Sequence, residues 1–130
     1  MKHILYTLCL FAFISCTTQV VTEKNASIEF NNTMFDFKTI PYKSDAECTF
    51  EVKNPGKTLL VIHNIKTSCG CTKPKWTKKP ILPGKEGSIT IKYDTNHPGR
   101  FRRKITVYYN GPGSPVELYI KGAVSFPEKG

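Results

Sequence analysis

Residues 88–124, SITIKYDTNHPGRFRRKITVYYNGPGSPVELYIKGAV, hold three stretches in which apolar and polar side chains alternate with a period of two. In SITIKYD (88–94) Ile89, Ile91 and Tyr93 fall on one side. RFRRKITVYYN (100–110) reads as a long strand with Phe101 inward, and VELYIKGAV (116–124) closes the run. Successive side chains of a strand point to opposite faces, so this alternation marks strands with one buried face. NHPG (96–99) and GPGSP (111–115) separate them with the residues that turns require.

The same pattern extends toward the N-terminus. MFDFKTI (34–40) alternates, and ECTFEVK (47–53) puts Cys48, Phe50 and Val52 on one face against Glu47, Thr49, Glu51 and Lys53 on the other. NPGK (54–57) reads as a hairpin turn, because Pro55 presets its own φ and Gly56 accepts a positive one. TLLVIHNIK (58–66) is then a mostly apolar run that suits a central strand, and KPILPGKEG (79–87) is loop chemistry. No period of 3.6 is sustained anywhere in this region. The expectation is an all-β, immunoglobulin-like antiparallel β-sandwich of about seven strands. Its core would be Phe35, Phe37, Phe50, Val52, Leu60, Ile62, Ile89, Ile91, Ile105, Val107, Leu118 and Ile120.

The first fifteen residues are built differently. Lys2, the apolar ILYTLCLFAFI and Ser15 before Cys16 have the order of an export signal, and the apolar stretch is short for a bilayer span of about 20 residues. FISC (13–16) resembles a lipobox, with Phe13 where leucine is usual; a plain secretory cut nearby is the alternative. Three segments follow: a lipoprotein signal peptide (1–15), a lipidated N-terminus and tether (16–27) and the sandwich domain (28–126). Acylation of Cys16 would hold the domain on a membrane, since each buried CH2 contributes about 0.8 kcal/mol. The expected location is the cell envelope, at the outer membrane or in the periplasm of a Gram-negative bacterium.

The whole chain carries 19 Lys and Arg against 10 Asp and Glu, a charge of +9; loss of residues 1–15 takes Lys2 and no acid, leaving +8. In an exported protein such a balance points to anionic envelope components or other envelope proteins as partners, and not to nucleic acid. The bland reading is a solvated basic surface. Two clusters stand out as candidate binding surface. Lys73, Lys75, Lys78 and Lys79 flank Trp76, and Arg100, Arg102 and Arg103 share a strand with Lys104. Trp76 either stacks on a ligand or folds inward to cap the sandwich.

SCGCT (68–72), Pro83–Gly84, Tyr93–Asp94 and Gly99–Phe101 together resemble a bacterial family of small Ig-like lipoproteins of unknown function, distantly similar to Hydin-type Ig-like domains. The likeness covers most of residues 34–124. It implies an exported, lipid-anchored Ig-like domain and no established activity. A glycine is usual where Lys38 stands, so the geometry at the end of the first strand is the point of departure.

Cys69 and Cys71, either side of Gly70, are the candidate disulfide or thiol site. Residues two apart in an extended chain do not bridge easily, but a glycine between them can fold the chain so that they do. Three readings stand side by side: a structural staple, a thiol-redox site favoured by Lys66 and Lys73, and a copper-handling pair. No cofactor is implied, and no resident metal site, since His63 and His97 are the only histidines beyond the signal. Cys48 is expected in the core as a small hydrophobe. With NPGK as a hairpin it would face His63, six residues or about 20 Å from Cys69, well beyond the roughly 7 Å that a disulfide spans. No nucleophile elbow, phosphate loop or zinc-protease motif occurs, so no catalytic residue is nominated and the chain is not read as an enzyme.

Overall fold

The computed structural model describes residues 25–129, and in it the chain forms eight strands, with no helix among the described residues. They are β1 (Glu29–Phe30), β2 (Met34–Ile40), β3 (Asp45–Lys53), β4 (Ile62–Thr67), β5 (Thr72–Trp76), β6 (Glu86–Asp94), β7 (Gly99–Tyr109) and β8 (Val116–Val124). The export signal, Cys16 and most of the tether lie outside the described residues.

Two four-stranded sheets face each other, one ordered β1-β3-β6-β5 and the other β2-β8-β7-β4. In β3 buried and exposed residues alternate without a break, which is the pattern of one face packed and one solvated. Val52, Leu60, Ile89, Ile91, Ile105, Val107, Leu118 and Ile120 are fully buried, with Phe50 and Ile62 nearly so. Tyr93 and Phe101 stack with ring centroids 3.9 Å apart, joining the two sheets. Burying this apolar layer is what holds the sheets together, at roughly 25 cal/mol for each Å² removed from water.

Several expectations are corrected. The strands number eight, because TKPKW pairs with β6 along five residues and Glu29–Phe30 pairs with β3. The sandwich is not wholly antiparallel, since β2 runs parallel to β8. NPGK is not a hairpin: β3 pairs with β6 and β1, whereas β4 pairs with β7 in the other sheet. The cause is Asn54, whose fully buried side chain donates to Thr58 O (2.7 Å) and Ile81 O (2.8 Å) and accepts from Gly56 N–H (3.0 Å). These bonds carry the chain out of its sheet instead of back along it. The apolar run 58–66 is therefore not a central strand; β4 lies at a sheet edge, and Leu60 bridges separately to Ile81. Phe35 is 38% exposed because β2 is also an edge strand; its ring sits edge-on to half-buried Phe37 at 4.8 Å.

Lys38 has φ 59°, the left-handed region, where the β2–β8 register slips between Asp36 and Thr39. Asp36 holds it there, accepting the Lys38 N–H at 2.8 Å and lying 3.2 Å from its ammonium. An L side chain in this region costs about 1–2 kcal/mol.

Candidate functional site

The TSCGCT segment carries the chain from β4 in one sheet to β5 in the other. Its hydroxyls and backbone form the turn. Thr67 Oγ1 donates to Cys69 O (3.0 Å) and Thr72 O (3.2 Å), and Thr72 N–H reaches Cys69 O at 3.2 Å. Ser68 N–H donates to Lys104 O, and Lys104 N–H returns to Ser68 Oγ, each at 3.1 Å. On the far side Asp94 N–H meets Cys71 O at 2.8 Å. Sequence reasoning passed over these roles of Thr67, Ser68 and Thr72, although three hydroxyl residues bracketing the cysteines are themselves a turn signal.

Cys69 and Cys71 are bonded to each other, their Cα atoms 5.2 Å apart. Gly70 does not adopt a left-handed φ, and a Cβ placed on it would touch nothing within 4 Å. Its contribution is bareness, since it leaves an exposed, uncovered backbone between the two sulfurs.

The sulfurs differ in their surroundings. Cys71 packs against the core, and its Sγ accepts Arg103 Nε–H at 3.4 Å with Thr72 Oγ1 3.8 Å away. Among the described residues Cys69 Sγ accepts only a backbone N–H, that of Cys71, at 3.1 Å. Arg103 reaches the disulfide because it shares the inward parity of Phe101 and Ile105 on β7. Its guanidinium also donates to Arg102 O (3.2 Å) and makes no ion pair among the described residues. The sequence reading counted it with Arg100 and Arg102 as candidate binding surface, whereas it lies half-buried on the inward side, and strand parity is the signal that could have set it apart. Beside this turn lies an open depression of about 650 Å³ lined by Gly70, Cys71, Lys73, Lys92, Asp45 and Asp94, among others. Asp94 is held below the usual carboxylate range by the Asn96 backbone N–H.

Cys48 is buried and free, opposite Ile91 in β6. The reason given for its isolation is corrected, since it does not face His63, which lies on a strand of the other sheet. Burial, assisted by the Glu47 carboxylate, pushes its thiol up to about 12. Among the described residues no three His, Cys, Asp or Glu side chains gather as a metal site would need.

The two basic clusters do not share a face. Lys73 and Lys75 point outward from the β1-β3-β6-β5 sheet, with Lys73 directly opposite Lys92. Lys78 and Lys79 follow β5 in the loop. Trp76 has inward parity opposite Ile89, is half-buried against the core, carries Lys78 Nζ 4.0 Å over its ring, and buries its indole N–H without an acceptor among the described residues. Arg100 and Arg102 point outward from the other sheet, with Lys104, Lys66 and Lys121 on the same side.

The charge divides by sheet. Among the described residues, the outer face of β2-β8-β7-β4 sets those five cations and Lys38 against the carboxylates of Asp36 and Glu117 only. Lys104 pairs with Glu117 at 3.4 Å, and the Tyr119 hydroxyl at 2.7 Å, ahead of Lys104, holds that carboxyl below its ordinary range. Arg102 lies over the Tyr119 ring at 4.7 Å and Lys66 over Tyr108 at 5.5 Å. Arg100, Arg102 and Lys121 make no ion pair among the described residues and, with Lys38, line a shallow groove of about 400 Å³. The opposite sheet presents Glu29, Asp45, Glu47, Glu51, Glu86 and Asp94 against Lys53, Lys73, Lys75 and Lys92.

A sandwich of two facing sheets with polar outer faces is an architecture shared with PapD-like and other Ig-like domains. The chain belongs to the family described as Protein of unknown function (DUF1573), whose profile matches residues 28–124. No curated protein matches it. A protein of unknown function from Porphyromonas gingivalis W83 is similar at a TM-score of 0.70 and 16% identity, over 80% of this chain and 49% of its own. This chain thus spans about half the length of that protein. The PapD-like domain 7 of human CEP192 aligns at 0.64 and 10% identity over 98% of this chain and 96% of its own. The VesB protease of Vibrio cholerae aligns at 0.54 and 13% identity, over 82% of this chain but 34% of its own. At these identities the likeness is one of fold.

Proposed function

We propose that the protein is a non-catalytic binding module of the cell envelope, exported and held at a membrane by lipid on Cys16, which engages anionic envelope components. The observation that carries this reading is the segregation of charge. Six cations and two carboxylates share the outer face of β2-β8-β7-β4, whereas six carboxylates and four cations share the opposite one. Such a field attracts phosphate or carboxylate groups to one side of the domain. Tyr108 and Tyr119 beside the cations add flat surface on which a ligand can rest. A lipid at the N-terminus would supply one membrane signal and the basic face a second, and stable anchoring takes two such signals when a single chain is attached.

Co-sedimentation with anionic and zwitterionic phospholipid vesicles tests the face. Binding to the anionic vesicles that weakens with salt is expected, with a loss of about tenfold or more in Arg100→Glu/Arg102→Glu, since each cation near such a surface contributes about 1 kcal/mol. Lys73→Glu/Lys75→Glu, on the other sheet, is expected to change it little. Equal losses in both variants would refute the assignment to this face. Intact mass of the membrane-extracted protein, compared with Cys16→Ser, tests the anchor.

A further inference from the structure

We propose that the Cys69–Cys71 bond is a thiol-exchange site with a fixed direction: an incoming thiolate attacks Cys69, Cys71 departs as the thiolate, and Arg103 holds the departing charge. The site would accept electrons from a dithiol reductant, as a small molecule or on a protein.

Arg103 has neutral partners in Arg102 O, at 3.2 Å, and the Tyr93 side chain, but no counter-charge among the described residues. Arg103 sits at an inward position of β7, half-buried, with no carboxylate partner among the described residues and its Nε–H aimed at Cys71 Sγ at 3.4 Å. A disulfide sulfur is a weak acceptor, so in the oxidised state the Nε–H gains little from Cys71, whatever the rest of the guanidinium gains from Arg102 O and Tyr93. A thiolate is a full negative charge, and a charge-assisted bond is roughly twice as strong as a neutral one. The arrangement is thus complementary to the cleaved bond more than to the intact one, and arginine stays charged at every relevant pH. Thr72 Oγ1, 3.8 Å from the same sulfur, is a second donor to it. Among the described residues Cys69 Sγ has only the neutral Cys71 N–H. The better-stabilised sulfur is the better leaving group, which directs attack to its partner.

The bond is open to solvent on both sides of Gly70, and the direction of attack rests on Arg103, because the depression beside the turn is lined by Gly70 and Cys71 and not by Cys69. Gly70 carries no side chain over the sulfurs, has no steric need to be glycine, and borders the open depression beside the turn. The turn itself is tied by Thr67, Ser68 and Thr72 through bonds that do not involve the disulfide.

The step balances as ordinary exchange. The first thiolate of the dithiol bonds to Cys69 Sγ as the Cys69–Cys71 bond breaks, and the electron pair passes to Cys71 Sγ beneath Arg103. The second thiolate attacks the reductant's own sulfur in the mixed disulfide, releasing Cys69 as thiolate and the reductant as its disulfide. Two electrons enter the protein, and solvent supplies protons to whichever thiolates take them up.

The experiment uses the full chain and two probes. Glutathione followed by acid quench and peptide fragmentation locates the mixed disulfide, and dithiothreitol gives the rate of reduction. Glutathione is expected on Cys69 with Cys71 free, and Arg103→Gln is expected to reduce roughly three- to tenfold more slowly, with the pH profile of Cys71 alkylation moved upward. Arg103→Lys should fall between the two. Glutathione on Cys71, an unchanged rate and alkylation profile in Arg103→Gln, or a bond inert to millimolar dithiol in the folded protein would each overturn the proposal. Should Arg103→Gln fail to fold, the site of glutathione on the unsubstituted chain decides the direction.

Discussion

Lys38 occupies a backbone conformation that glycine takes without cost, at the position where the family resemblance leads one to expect glycine. Lys38→Gly keeps the N–H that Asp36 accepts, removes about 1–2 kcal/mol of left-handed strain and returns about 0.5–1 through the greater freedom of the unfolded chain. Its exposed ion pair with Asp36 weighs little. Thermal melting should therefore show a gain of about 0.5–1 kcal/mol, or roughly 3–6 °C, and Lys38→Ala should show none. Cys48 gives a second test. Its thiol is pushed up to about 12 by burial, above an unfolded value near 8.5, so the neutral form stabilises the fold below about pH 8.5 and that contribution is lost as pH rises toward 12. Denaturant titrations should show the native chain losing more stability than Cys48→Ala between about pH 8.5 and 10.5. The inward parity of Cys48 was legible because alternation is local, whereas the strained φ of Lys38 depends on a register slip against β8, whose paired residues stand 84 and 85 positions away in sequence.

Two connections, not the strands, decide how the sheets assemble. NPGK has every mark of a hairpin, and what redirects it is a hydrogen-bonding residue just before it. Asn54→Ala would leave Thr58 O and Gly56 N–H without the partner they have, and Ile81 O with the Leu60 N–H alone, at a cost of about 2–3 kcal/mol, lowering the urea midpoint by about 1–2 M. Asn54→Asp should not rescue it, because a carboxylate cannot donate to two carbonyls. The cysteine turn is the other connection. Cross-linking a loop of only three residues removes little freedom from the unfolded chain, about 1.6 kcal/mol. Cys69→Ser/Cys71→Ser is therefore expected to lower the melting temperature by roughly 6–13 °C and to keep the β-sheet circular dichroism signal. Collapse of the fold in that variant would return the pair to the role of a staple. β5 escaped the sequence reading because its alternation is interrupted by proline and crowded by lysine, and it is recognisable chiefly through its pairing with β6.

Viewed whole, the domain separates charges that the sequence intermixes. Six cations on one outer face repel one another, and their repulsion is screened over about 10 Å at 0.1 M salt. Raising sodium chloride from about 10 to 300 mM should raise the melting temperature by a few degrees in the native chain and by less in Arg102→Gln. The two lysine- and arginine-rich segments looked alike as composition. Their separation onto opposite sheets follows from the crossover at residues 67–72, which puts Lys73 and Lys75 on one sheet while β7 carries Arg100 and Arg102 on the other.

Alternation with a period of two was enough to establish an all-β chain, most strand positions and most of the core, because the side on which a residue falls is set by its immediate neighbours. The sheet to which each strand belongs was decided by contacts between distant segments: Asn54 with Ile81, Ser68 with Lys104, Arg103 with Cys71. TSCGCT reads along the chain as two cysteines among lysines. Only folding brings β7 against it, and with β7 the one guanidinium that makes its two sulfurs unequal.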